Sequence, residues 1–250
     1  MSHSIGKFVW FELVSHDIAR AKVFYSELFG WKLGEMPMDF GPYTLFDAGQ
    51  GPVAGAMAAH GGPSRWETYA SVADVDAMAA RVVAHGGQRE GQTMDVPGVG
   101  RMAAVVDPTG ARLSLYSSAD GDQPDAPSRP GEFVWNELMT DDPARAVKFY
   151  RDVLGYGVQE RTMGPRGTYH VLTQGEAMRA GVMAKPMPEA PTAWLPYVHV
   201  AQVDELASRA TTLGATVVTP PTDIPGVGRF AVLVDPTGAA IAVLTPLPRG

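Results

Sequence analysis

Two glutamates, Glu12 and Glu137, each stand two residues after a tryptophan. They lie in the matching stretches Phe8-Val9-Trp10-Phe11-Glu12-Leu13 and Phe133-Val134-Trp135-Asn136-Glu137-Leu138. On a strand, residues two apart share a face, so an indole and a carboxylate sit side by side. The indole offers a planar ligand apolar area and an N–H donor. The carboxylate suits a general base or a hydrogen-bond acceptor for a ligand. A half-buried carboxylate is costly unless it is paired or protonated, so a structural role beside a backbone group or an arginine is the competing reading. Glu67, in Trp66-Glu67-Thr68-Tyr69, is a third such group, and His199 adds an imidazole, a side-chain type suited to acid–base work. Glu12 with Glu67, or Glu137 with His199, are the candidate acid–base pairs. Trp10, Tyr69, Arg112, Ser114, Trp135 and Tyr197 are the candidate ligand-binding residues. Arg101 and Arg229 each follow Gly-Val-Gly; their recurrence favours a structural ion pair over an anion clamp.

The elements that must position these residues are written twice. Val96 to Ala111 returns as Ile224 to Ala239, shifted by 128 positions, and each copy holds Asp-Pro-Thr-Gly, which suits a type I turn between two strands. Ahead of these lies a strand, then Asp17 as an N-cap, then apolar residues at helical spacing (Ile18, Ala21, Phe24, Tyr25, Leu28), then Gly30 as a stop. Three short strands follow, with a loop expected around Met36–Pro42, making a βαβββ unit. A second unit starts at Trp66, with Asp74 capping a helix that turns Val75, Met78, Ala79 and Val82 inward. Residues 117–131, rich in Asp, Pro, Ser and Gly, read as a linker. The pattern then restarts, with Asp142-Pro143 as cap and first helical residue. Tyr169 and Gly181 match Tyr43 and Gly55 at 126 positions, while Trp194 and Tyr197 match Trp66 and Tyr69 at 128. The drift in spacing implies small insertions, which belong in loops.

Composition narrows the classes. The 250 residues are 45% hydrophobic, enough for two cores. There is no cysteine, which excludes disulfides, thiolate nucleophiles and Cys-ligated zinc. A net charge of −7 without a Lys/Arg cluster argues against nucleic acid and acidic membranes. The N-terminus lacks the layout of a secretory signal, and no apolar run is long enough to span a bilayer. The expected setting is cytoplasmic and the expected partner a small molecule, with the chain a monomer or homodimer.

The helix-cap Asp, the Phe24-Tyr25…Leu28-Phe29-Gly30 and Phe149-Tyr150…Val153-Leu154-Gly155 strings, and the closing Asp-Pro-Thr-Gly together resemble the vicinal oxygen chelate superfamily. This superfamily includes glyoxalases, extradiol dioxygenases and bleomycin-binding proteins. The resemblance implies an α+β fold of two tandem domains, residues 1–118 and 132–250 joined by 119–131. Each domain would be two βαβββ modules whose sheets curl around a cleft. It further implies metal ligands at positions that here hold Trp10, Glu67 and Ser114 in one half, and Trp135, Leu195 and Ala242 in the other. Of these only Glu67 suits a metal, so no metal and no other cofactor is expected. The expectation is a metal-free protein that binds a small, apolar or aromatic molecule. The alternative is an enzyme of this superfamily (lyase, isomerase, hydroxylase-like, or metal-dependent glyoxalase or dioxygenase) working through cleft carboxylates.

Overall fold

The computed structural model describes residues 2–38, 41–164 and 167–248. The first repeat contains β1 (Phe8–Ser15), α1 (Ile18–Phe29), β2 (Lys32–Met38), β3 (Gly41–Asp47) and β4 (Pro52–Ala58). Next come β5 (Arg65–Ser71), α2 (Val75–Ala84), β6 (Gln88–Val96), β7 (Gly100–Val106) and β8 (Arg112–Ser118). The third module is β9 (Phe133–Thr140), α3 (Pro143–Leu154), β10 (Gly157–Thr162), β11 (Thr168–Gln174) and β12 (Ala177–Ala184). The fourth is β13 (Ala193–His199), α4 (Val203–Thr212), β14 (Thr216–Ile224), β15 (Gly228–Val234) and β16 (Ala240–Pro246). The strands form two eight-stranded sheets, ordered β2-β3-β4-β1-β5-β8-β7-β6 and β10-β11-β12-β9-β13-β16-β15-β14. The fold is thus α+β and duplicated, with the βαβββ module as its repeating element.

Local chemistry explains the helix ends. Asp17, Asp74 and Asp142 each accept a backbone N–H three residues on, at 3.0 Å, and Pro143 occupies the first turn of α3. Gly30 and Gly155 stop α1 and α3 in the left-handed region, at φ 72° and 74°, where a side chain would be strained. Helix α4 differs: Gln202 stands where the other three have Asp and makes no side-chain cap. Gln202→Asp is therefore expected to raise stability by about 1 kcal/mol, read as a shift in the urea midpoint. An unchanged midpoint would mean that α4 frays without consequence.

One expectation is corrected. The segment around Met36–Pro42 is a hairpin rather than an open loop, with Met38 opposite Gly41 and Pro37 opposite Pro42; Asp39 and Phe40 lie outside the described residues. Strand β2 is a sheet edge, where the missing proline N–H breaks no ladder. Proline spacing therefore disguised a strand.

Packing divides the chain into two compact units that do not coincide with the sequence halves. One comprises Met1–Val9, Glu67–Asp125 and Trp135–Trp194; the other comprises Trp10–Trp66, Ala126–Val134 and Leu195–Gly250. The first thus joins the second and third modules, and its core includes Val72, Leu113 and Leu115 packed with Val75, Ala79 and Val82 of α2. In the same unit the Tyr156 hydroxyl donates to the Gly6 carbonyl, and Phe8 tilts against Trp194 at 5.1 Å. The second joins the first and fourth modules. There Phe11 stacks on Phe133 at 3.7 Å and the Trp31 indole donates to the Gly131 carbonyl at 2.9 Å.

The segment 119–131 forms no regular structure, yet it is tied down along its length. Asp122 accepts the Ser4 N–H at 2.6 Å, and Asp125 pairs with Lys7 at 2.9 Å and Arg179 at 2.8 Å. The hydrogen bond from Arg179, seconded by that from Lys7, holds the Asp125 carboxyl down to about 2, against its ordinary 3.8. A depressed carboxylate contributes stability above its unfolded pKa and loses it as the pH falls through the folded value. Part of the acid sensitivity between about pH 4 and pH 2 should therefore vanish in Asp125→Asn. Because Asp125 is half exposed, the effect is small; identical acid titrations of the two proteins would refute it.

Candidate functional site

The paired Trp and Glu of β1 and β9 do not stand alone. In the second unit the Trp10 indole N–H donates to the Tyr43 hydroxyl at 3.0 Å, and that hydroxyl donates to Glu12 Oε1 at 2.7 Å. In the first unit Trp135 donates to Tyr169 at 2.9 Å, and Tyr169 in turn hydrogen-bonds Glu137. Burial, and then the nearby Glu137 charge, push the Tyr169 hydroxyl well above its ordinary range, so it stays protonated and remains the donor. Each carboxylate is buried, at 8% exposure for Glu12 and 9% for Glu137. Directed donors of this kind are what a buried carboxylate requires.

The sheet register explains why these residues converge. Gly55 lies opposite Glu12 across the β1–β4 pair, and Gly181 opposite Glu137 across β9–β12. A Cβ at Gly55 would lie 1.8 Å from the Tyr43 hydroxyl oxygen, and one at Gly181 would lie 1.9 Å from that of Tyr169. Neither glycine is needed for a left-handed turn. Each leaves a space that the tyrosine hydroxyl fills on its way to the glutamate. Tyr43, Tyr169, Gly55 and Gly181 were not among the sequence candidates; their only signal was recurrence at a common spacing of 126.

The remaining candidates fall as follows. In the first unit Glu67 is buried and takes Arg112 Nε at 3.2 Å, while Arg112 also pairs with Glu90. The Arg112 charge is thereby offset by two carboxylates. Tyr69 lies opposite Ser114 in register and packs edge-on against Tyr116 at 6.3 Å; the Tyr116 hydroxyl donates to the Val99 carbonyl at 2.8 Å. In the second unit Tyr197 lies opposite Ala242 and stacks with Phe230 at 6.3 Å. His199 Nδ1 lies 3.0 Å from the Ser128 carbonyl oxygen and 3.1 Å from the Ser128 hydroxyl, so the imidazole is tied to the connecting segment. Arg101 meets Asp76 at 2.7 Å and pairs with Asp95, and Arg229 meets Asp204 at 2.6 Å and Asp223 at 2.9 Å. Both arginines thus brace their own modules.

Metal binding can be tested on the donor chemistry. Of the positions where metal ligands would stand, two hold indoles, one a leucine, one an alanine and one a serine. The sixth, Glu67, is taken up by Arg112. Among the described residues no group of three or more His, Asp or Glu is placed to hold an ion. The residues present do not fit a divalent cation, which needs several N or O ligands converging on one point.

Four βαβββ modules in two eight-stranded sheets, with an aromatic-braced carboxylate on the first strand of each half, define a duplicated βαβββ scaffold. The chain belongs to the glyoxalase/bleomycin resistance protein/dioxygenase superfamily, also called the vicinal oxygen chelate superfamily. A profile of that superfamily matches residues 132–243, and a bleomycin resistance protein-like N-terminal profile matches residues 7–49. CFP32 of Mycobacterium bovis, provisionally named a glyoxylase, is 38% identical over 247 residues, covering 96% of this chain and 95% of its own. The anthracycline biosynthesis protein DnrV of Streptomyces peucetius is 32% identical over 259 residues, covering 96% and 93%. Among solved structures, the Mn(II)-bound glyoxalase of Novosphingobium aromaticivorans superposes with a TM-score of 0.70 at 20% identity, covering 99% of this chain and 84% of its own. The 2,2',3-trihydroxybiphenyl 1,2-dioxygenase of Sphingomonas wittichii gives 0.67 at 16% identity, covering 98% and 91%. At these identities the structural likenesses establish the fold alone. Among the described residues no helix is long and apolar enough to cross a membrane.

Proposed function

We propose that the chain binds a small, largely apolar or aromatic organic molecule without a metal ion, and that Trp10–Tyr43–Glu12 and Trp135–Tyr169–Glu137 are its anchoring groups. The domain limits 1–118 and 132–250 belong to the same proposal, one anchor falling in each. The observation that carries the reading is the duplicated relay. Each relay sets a half-buried indole beside a carboxylate whose orientation is fixed by a tyrosine, on the strand where the family resemblance implies a metal ligand. A rigid indole supplies area for a planar ring, and an oriented carboxylate accepts a hydroxyl or amine on its rim. The relatives named for anthracycline biosynthesis fit an aromatic ligand.

A second reading, an enzyme of the superfamily, is favoured by the buried carboxylates themselves, because an oriented glutamate is also what a general base needs. A thermal-shift screen with planar phenols and quinones, run on the native protein and on the Glu12→Gln/Glu137→Gln variant, tests both. Binding should raise the native melting temperature and leave the variant unmoved. No stabilisation by any aromatic compound, or equal stabilisation of the variant, would overturn the binding reading. Turnover of a compound that the variant binds but does not convert would favour the enzyme.

A further inference from the structure

Three features of the sequence play no part in the candidate site: the Phe-Tyr pairs of α1 and α3, the tryptophans near the start of β5 and β13, and the Asp-Pro-Thr-Gly turns. In the first unit they meet. The Trp194 indole donates to the Tyr150 hydroxyl at 3.0 Å, and that hydroxyl donates to Asp107 Oδ2 at 2.9 Å. The other carboxylate oxygen, Oδ1, serves its own turn. It accepts from the Thr109 N–H at 2.7 Å, the Thr109 hydroxyl at 2.7 Å and the Ala111 N–H at 3.1 Å. Tyr150 is 1% exposed and Asp107 4%. One oxygen of this buried carboxylate therefore holds the turn, and the other holds a helix from the opposite half of the repeat.

The second unit shows the reciprocal arrangement. Trp66 donates to the Tyr25 hydroxyl at 2.9 Å, beside Asp235. Asp235 Oδ1 accepts from the Thr237 N–H at 2.7 Å, the Thr237 hydroxyl at 2.8 Å and the Ala239 N–H at 3.0 Å. Here Oδ2 is buried near Tyr25 but outside good hydrogen-bond geometry, and the crossing bond runs instead from the Ser15 hydroxyl to that of Thr237 at 3.1 Å. The helix of the first half thus reaches the turn of the second, and the helix of the second half reaches the turn of the first. Each unit thus uses the same two patches, with the roles of the halves exchanged.

We propose that the two sequence halves are an obligate pair, each completing its compact units only with the other, and that the crossed helix-to-turn contacts are the recognition surface between them. This reading stands apart from ligand binding and survives if no ligand is found. The partner that the surface fits is the other half of the repeat, because its helix brings a buried tyrosine hydroxyl to the one turn oxygen left without a local donor.

The test keeps the whole protein and cuts it after folding. A protease site inserted between Asp125 and Ala126, in the segment without regular structure, is cleaved to completion, and the product is followed by size exclusion on dilution. The fragments should co-elute at the position of the uncut chain. Tyr150→Phe in the cut protein should shift dissociation to roughly tenfold higher concentration. Tyr25→Phe should shift it less, because its turn oxygen takes no well-formed bond. Separation of the native cut fragments as two folded species would overturn the proposal, as would a cut Tyr150→Phe protein that associates as tightly as the native one. Circular dichroism of the uncut variant checks its fold; if that variant does not fold, the native cut protein decides alone.

Discussion

Asp107→Ala is expected to be among the most damaging single changes outside the candidate site, costing about 4 kcal/mol. The carboxylate is buried and accepts four hydrogen bonds, two from backbone N–H groups and two from hydroxyls. Alanine strands the Ala111 N–H and the Tyr150 hydroxyl where water cannot replace the lost partner, and removes the acceptor of the half-buried Thr109 N–H. Each buried orphan costs about 1–3 kcal/mol, and shared relaxation keeps the total below their sum. The measurement is urea unfolding of the uncut chain. Asp107→Asn keeps a carbonyl oxygen for the turn and should fall between native and alanine. A loss below about 1 kcal/mol for alanine would mean that the turn stands without its carboxylate.

The second large effect is expected at Gly55 and Gly181. Alanine at either position forces a tyrosine hydroxyl to withdraw, since the contact would be 1.8 or 1.9 Å. Tyr43 cannot slide aside freely, because its hydroxyl takes the Trp10 N–H and gives its own proton to Glu12. The change combines overpacking with loss of the tyrosine's hydrogen bond to the carboxylate, for a cost of about 3 kcal/mol. Gly34→Ala is the control, since its Cβ would meet nothing closer than 3.7 Å, at Leu45. Shortening residue 43 to leucine should relieve the strain of Gly55→Ala without restoring the hydrogen bond from residue 43 to Glu12. Binding of an aromatic probe should then stay weak while stability recovers. Recovery of both would show that the tyrosine hydroxyl has no part in binding.

Much of the fold was legible because its signals are local. Asp17, Asp74 and Asp142 announced helix starts, Gly30 and Gly155 announced stops, and the Asp-Pro-Thr-Gly turns marked where two strands meet. The duplication made each of these readable twice. The relays were not legible, because a hydrogen bond between Trp10 and Tyr43 depends on how β1, β4 and β3 align, and register across a sheet leaves little trace in one sequence. Trp10 reads from the sequence as a stacking platform that offers an N–H, and the structure gives that N–H to Tyr43. Glu12 reads from the sequence either as a base or ligand acceptor or as the partner of a backbone group or an arginine, and the register brings it a tyrosine, Tyr43. The crosswise grouping of modules was hidden for a related reason: repeat boundaries follow the chain, while packing follows apolar surface.

The five tryptophans share one property with practical value. Every indole N–H is a donor: four to the hydroxyls of Tyr43, Tyr25, Tyr169 and Tyr150, and one to the Gly131 carbonyl. In a proton–nitrogen correlation spectrum the protein should therefore show five separate indole signals displaced from the free position. Trp66 and Trp194 should keep their protons longest after transfer to heavy water. Trp10 and Trp135 would report the Glu12 and Glu137 relays independently, and Trp31 the attachment of the connecting segment. The proposed binding in either half could then be tested in a single titration, without an attached dye.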